Sequence, residues 1–488
     1  MRQFLFFLLL AAAFFIPSMS WGEPVAIGDR RELMVDLELI ESLKNADLVM
    51  HQPVDEGSVL TFEKPWEGRF CGYATVIRDG DIYRLYYRGN PEAGKDGDKD
   101  EVYCYAESKD GINWTKPNLG QYEINGTKEN NVVLANSAPI THNFSPMLDT
   151  RPGVPASERF KALGGTKDSG LVALVSADGK NWKKLSEEAV IPSSMVPYPY
   201  YFDSQNVAFW SESEKKYLSF FRVFQNKIRR ICRTTSDDFI HWSEPELMEY
   251  RHREGEAPIE HLYTNQTHPY FRAPHIYLSV AARFIPGRQV LTDEQAKAID
   301  VNPGYFKDTS DAIFMSTRPG SSVYQRTFLS SFVRPGIGAR NWVSRTNYPA
   351  LNVVQTGPTE MSVYLNQDYA QTTAHLHRYS MRLDGFSSLQ GNFSGGEMIT
   401  RSLTFNGKEL AINFSTSAAG GIRLEIQDAE GKAIPGYSLE DSQEQIGNEI
   451  ARVVSWKSGS DVSSLAGKPV RLRFALKDAD LYSFKFSK

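Results

Sequence analysis

A chain of 488 residues is longer than one hydrophobic core usually supports, so two domains are expected. Its 41% hydrophobic and 23% charged residues are those of an ordinary globular protein, while an aromatic share of 12% is high. A net charge of −5 and a pI near 6.1 leave no electrostatic footprint for nucleic acid or an acidic membrane surface.

The chain opens "MRQFLFFLLLAAAFFIPSMSWGEP". Arg2, the apolar run 4–16 and the small-x-small site Ser18-Met19-Ser20 read as a signal peptide over residues 1–22. The run is short for a membrane span, and no later stretch is long enough to be one. An exported protein without a membrane span is expected, periplasmic or extracellular. The segment Val25 to Leu60, with its strand "ELMVDLELI", is expected to close the last unit of the repeat described next.

Alternating runs such as "TVIRDGDIYRLYYRG" and "NVAFWSESEKKYLSFFRV" read as β-hairpins with Asp-Gly or short polar turns. A recurring device follows them. Ser108-x-Asp110-Gly111-x-x-Trp114 returns at Ser176 to Trp182 and, with Phe239 in the glycine place, at Ser236 to Trp242. Looser copies run from Ser316 to Tyr324 and from Ser380 to Leu389. Repeats of about four antiparallel strands stack radially, so five copies predict a five-bladed β-propeller over residues 23–390. The Asp-Gly turn then links the third and fourth strands of a blade, and its Trp packs between blades. Helical signals are few; 292–300 is the clearest. From about 391 to 488, short strands between Gly and Asn turns predict a β-sandwich. The whole chain reads as all-β. Cys71, Cys104 and Cys232 read as buried free thiols, with a Cys71–Cys104 pairing left open within one unit.

A propeller with Ser-x-Asp-Gly-x-x-Trp turns followed by a β-sandwich resembles the glycoside hydrolases of the invertase, levansucrase and arabinanase type. It is most similar to exported bacterial proteins likened to the N-terminal domain of family 32 glycosyl hydrolases. The resemblance implies three carboxylates converging at one end of the axial channel, carried by the first strands of successive blades. One carboxylic acid protonates the leaving oxygen; another attacks or activates water. Carried onto this sequence, the third-blade acid falls on Asp203 in "YYFDSQNVAFW", where the family has Glu. The second-blade position falls on Asp149 in "HNFSPMLDTRP", with Asn143 or Ser145 as alternatives. The family's Asn-Asp-Pro motif is missing from blade one, where Glu67 is the carboxylate on offer.

Two further acids precede expected inner strands: Glu260, within a group that includes His261, His268, Arg272, His275 and Arg283, and Glu360. Trp66, Tyr201, His268, Arg272 and Arg283 are candidate substrate contacts, the arginines for carboxylates or sulfates. Tyr73, Tyr263 and Tyr270 are further candidate platforms for sugar rings. The acidic run "GKDGDKDE" at 94–101 spaces Asp96, Asp98 and Asp100 like a calcium loop, but its glycine and Glu are misplaced, so it reads as a solvated hairpin tip. No metal or cofactor is expected. The expectation is an exported glycosidase acting on an oligo- or polysaccharide, the alternative a non-catalytic carbohydrate-binding propeller. The sequence leaves the oligomeric state open.

Overall fold

The structure is a computed structural model that describes residues 23–92, 94 and 97–487. The leader at residues 1–22 and Asp96 of the acidic run lie outside the described residues.

The described chain is nearly all β, in a propeller-like arrangement of sheets. Three sheets are four-stranded antiparallel meanders in chain order. The first is Gly72–Asp79, Ile82–Gly89, Val102–Ser108 and Val132–Leu134. The second is Ser145–Leu148, Phe160–Gly164, Val172–Ser176 and Lys183–Lys184. The third is Val207–Ser211, Lys216–Gln225, Ile228–Ser236 and Glu246–Leu247. A seven-stranded sheet follows, built on Thr267–Tyr270, Ala273–Ile285, Thr309–Thr317 and Val323–Gln325. A five-stranded sheet holds Tyr348–Pro349, Val354–Gln355, Glu360–Gln367 and His375–Arg382. Its outer place is taken by Val54–Thr61, antiparallel to His375–Arg382. Closure therefore comes from the N-terminal segment, as expected, but through residues 54–61. The strand "ELMVDLELI" goes elsewhere: Arg31–Leu33 pairs with Arg471–Ser487, and Ile40–Lys44 with Gly396–Thr400.

The first strands of the first four sheets touch in order, Ala273–Ile285 of the fourth sheet touches Tyr348–Pro349, and Tyr348–Pro349 returns to Gly72–Asp79 to complete a ring. Polar side chains fill the line they surround. Gln205 Nε2 donates to Thr75 Oγ1 at 2.7 Å; Gln266 Nε2 donates to Gln205 Oε1 at 2.6 Å and to the Pro349 carbonyl at 2.7 Å. Four first-strand segments thus meet through buried amides whose donors are used, which suits a buried axis.

The Asp turns clasp neighbouring sheets. Asp178 Oδ1 accepts from the backbone N–H groups of Lys180 and Asn181, both at 2.8 Å, and Ser176 Oγ from Gly179 at 2.9 Å. The Gly179 carbonyl accepts from Tyr86 of the sheet before, and Gly111 from Tyr364 in the same way. Trp182 packs against Phe144 and Tyr86. In the fourth copy the turn has no Asp. Arg318 of that copy binds Asp36, contributed by the N-terminal segment.

An eight-stranded sheet draws on both ends of the chain, with 31–50 supplying strands beside those of 387–487. Its long strands Glu409–Gln427 and Arg471–Ser487 shift register between Thr416 and Gly421. The one α-helix among the described residues, Asp293–Ala298, starts in a capping box at Thr292 within the expected segment. All three cysteines are buried and free, and burial pushes the Cys232 thiol up to about 12. No described helix is long and apolar enough to cross a membrane.

Candidate functional site

Each of the five first strands carries a left-handed, non-glycine residue at or shortly before its start: Tyr73 (φ 48°), Asn143 (φ 53°), Phe202 (φ 62°), Gln266 (φ 50°) and Asn347 (φ 59°). Such backbone is costly for residues with a Cβ and marks places where the fold overrides local preference. Here the five turns mark the strand-entry end of the axis, its mouth.

Asp203 stands at this mouth with its side chain 42% exposed. Its Oδ2 accepts from Arg222 Nη2 at 2.5 Å. Arg222 sits inside the otherwise apolar run "FFRVF" and is buried. Its guanidinium lies 4.4 Å from the centre of the Tyr263 ring. Two more guanidiniums face the same ring, Arg229 at 4.9 Å and Arg345 at 5.6 Å. Arg88 lies 4.6 Å from the centre of the Tyr73 ring. Burial, and then the like charge of Arg222, weakens Arg229's hold on its proton. Tyr305, from the loop that carries the helix, stacks beneath Arg345. Arg222 Nε and Nη1, Arg88 Nε and Tyr348 Oη are buried without a hydrogen-bond partner. The mouth is therefore rich in donors, with Asp203 as its acceptor.

Beside it, Asn143 donates to the Phe202 carbonyl at 3.3 Å, drawing the second sheet's entry to the third's. The neighbouring His142 Nδ1 meets buried Glu101 at 2.9 Å. Burial pushes Glu101 up, but His142 and Arg88 outweigh it and hold the carboxyl below its ordinary range.

The other sequence candidates are dispersed. Tyr201 accompanies Asp203, stacked edge-on against Phe202 at 5.0 Å. Glu67 is fully buried at the edge of the first sheet, bonded to Tyr87 at 2.5 Å and Lys116 at 2.7 Å. Trp66 beside it is buried, its Nε1 donating to Asn131. Asp149 follows the far end of its first strand and binds Tyr217 at 2.6 Å and Lys161 at 2.9 Å. Glu260 lies between Arg283 and Arg326, in a cavity of about 600 Å³ that Arg230 and Tyr250 also line. Arg283 also grips Asp311, and Arg272 meets Asp384 at 3.3 Å. Glu360 accepts from Thr356 and Arg378 at the start of its strand. His268 is buried near the far end of the axis, where its Nδ1 meets the Gln266 carbonyl and its Nε2 the Val353 N–H. Burial pulls it down to about 4.

Sequence reading missed Arg88, Arg222, Arg229, Arg345, Tyr348 and the Glu101–His142 pair. A signal existed for Arg222: a charge in the middle of an apolar strand is rare unless paired. Arg345, in a loop, gives none.

No family model matches the chain. An uncharacterized protein of Mycobacterium tuberculosis, in strains CDC 1551 / Oshkosh and H37Rv, is 27% identical over 164 residues, 32% of this chain and 47% of the relative. The chain thus spans about half the length of the curated relatives it matches. Among solved structures, a glycoside hydrolase matches with TM-score 0.46 and 9% identity over 68% of this chain and 92% of that one. An N-acetylgalactosamine deacetylase from F. plautii matches with TM-score 0.43 and 11% identity over 70% and 97%. A fructofuranosidase from Schwanniomyces occidentalis matches with TM-score 0.37 and 12% identity over 90% and 99%. At these identities and TM-scores, chemistry has to be read from the site itself.

Proposed function

We propose that the chain is a glycosidase that meets an oligo- or polysaccharide at the mouth, with Asp203 as the carboxyl at the reacting centre. The observation that carries this is the half-exposed Asp203 at the entry of a first strand, fixed by buried Arg222 and walled by Tyr73, Tyr201 and Tyr263. A sugar ring needs an apolar face to lie on and polar groups at its rim; the partly exposed Tyr201 beside Asp203 offers the face, while Tyr73 and Tyr263 lie buried behind it. A carboxylate held by an arginine suits accepting a proton from water or facing positive charge at the anomeric carbon. Hydrolysis asks for a second carboxyl about 5 to 10 Å away across the sugar. In this reading Glu101, bonded to His142 beside the mouth, is the candidate for that second carboxyl.

The same proposal takes the five sheets of residues 54–382 as five blades, within a propeller domain at 23–390. It takes 391–488 as a β-sandwich that recruits N-terminal strands, and residues 1–22 as the export signal of a periplasmic or extracellular protein.

The test is release of reducing sugar from a panel of plant and algal polysaccharides, wild type against Asp203→Asn. Asn keeps an oxygen for Arg222, so folding is spared. The expected result is turnover that falls at least about a hundredfold in the variant, the scale of losing a proton-transfer group. Turnover that survives the change removes Asp203 from the reaction. A second reading, sugar binding without turnover, is favoured by one observation: Glu67, Asp149, Glu260 and Glu360 are each held by partners away from Asp203. Binding of a glycan that is never cleaved would select it.

A further inference from the structure

We infer that the mouth recognises a sugar bearing an anionic group, a carboxylate or a sulfate ester, held between Arg222, Arg229 and Arg345 over the Tyr263 ring. The inference rests on the proposed glycan site and names its substrate class.

The charge balance carries it. Three guanidiniums face one tyrosine ring. Asp203 pairs with one of them. No described carboxylate lies within ion-pair distance of Arg229 or Arg345; Arg229 Nη1 meets His261 Nδ1 at 3.3 Å, and its guanidinium also lies over the Phe224 and Phe284 rings. Arg88 adds a further cation on the first-sheet side. Like charges packed this closely repel one another, and each is also partly stripped of water. An arrangement of that kind is relieved when an acceptor-only group enters.

The donor chemistry points the same way. Guanidinium offers N–H donors and no acceptor, and its planar fork matches the oxygens of a carboxylate or sulfate. A site built for neutral hydroxyls would mix acceptors with donors in equal measure, whereas here four arginines face two carboxylates, Asp203 beside Arg222 and Glu101 on the Arg88 side. The unpartnered Arg222 Nε and Nη1, Arg88 Nε and Tyr348 Oη are a second, independent sign of hydrogen-bonding capacity that the protein itself leaves unused. Arg222 and Arg88 are both more than nine-tenths buried, so these donors cannot be satisfied by bulk water. The partly exposed Tyr201 would take the sugar ring while the arginines take its charge.

The experiment is calorimetric titration of the full chain with two matched pairs: trigalacturonate against its carboxyl-reduced form, and a sulfated galactose oligosaccharide against its desulfated form. The expected result is that the charged member of one pair binds at least about tenfold tighter, with Arg345→Gln or Arg229→Gln cutting that preference by about tenfold. The responding pair distinguishes carboxylate from sulfate. Using two variants, each checked by thermal melting, guards against loss of fold. Equal binding within both pairs, binding by neither, or a preference that both folded variants leave unchanged overturns the inference. Anionic preference without cleavage keeps it while removing the glycosidase reading. Cleavage of neutral glycans without anionic preference does the reverse.

Discussion

At the scale of single residues, environment decides role. Glu67 and Asp203 are both carboxylates near first-strand entries. Glu67 is sealed by Tyr87 and Lys116 inside the first sheet, whereas Asp203 meets solvent. Sequence gives both the same letter class; only burial separates them. Arg345 was illegible because its loop becomes part of the mouth through contact with Tyr263, 82 positions away in sequence by its own numbering. His268 shows how burial sets a pH response. Its folded value of about 4 lies below the ordinary 6.5, so the unfolded chain takes up the proton first as the medium is acidified. That contribution to stability is present above pH 6.5 and is lost as pH falls from there through 4. Urea unfolding should lose up to roughly 2 kcal/mol between pH 7 and pH 5 through this group. His268→Gln should flatten that fall; an unchanged slope would mean that the fall originates elsewhere.

At the scale of elements, the hairpins and Asp turns were legible because each depends on a local period or a turn of a few residues. What was not legible is which strand closes the five-stranded sheet. "ELMVDLELI" is the more apolar stretch, yet the half-exposed Val54–Thr61 takes the place, since the outer strand of such a sheet needs only one buried face. The turns themselves make a prediction. Gly179 has φ 74°, and a Cβ there would stand 2.5 Å from Tyr86 Oη, whereas at Gly120 (φ 65°) nothing lies within 4 Å. Gly120→Ala should therefore cost about 1 kcal/mol, from backbone alone. Gly179→Ala should cost clearly more, about 2 to 4 kcal/mol, because the inter-sheet clasp must also shift. Denaturant midpoints check the pair; equal losses would show that the clasp yields freely.

At the scale of the whole molecule, the two ends of the chain are bound into one sheet and also fastened to the ring. Glu32 and Asp36, both buried, meet Arg318 of the seven-stranded sheet, and Glu32 also meets His275. Burial raises the Glu32 carboxyl, but His275 and Arg318 outweigh it and bring it down to about 2. Arg318→Ala should destabilise the protein by about 3 to 5 kcal/mol, since buried Asp36 loses its cation and buried Glu32 one of its partners. Adding Glu32→Gln and Asp36→Asn should restore part of that loss in a thermal melt. No restoration would mean that the Arg318 side chain acts by packing alone. This long-range fastening left no mark in the sequence, because neither acid belongs to a repeat.

We place the proposed sugar site at the axial mouth around Asp203, not in the cavity beside Glu260 on the rim. The most direct measurement is a crystal structure of Asp203→Asn soaked with the oligosaccharide that the wild-type chain binds most tightly. The expected result is sugar lying beside Tyr201, within hydrogen-bond reach of residue 203 and the arginines around it. Sugar seated instead between Glu260, Arg326 and Tyr250, with the mouth empty, would contradict it.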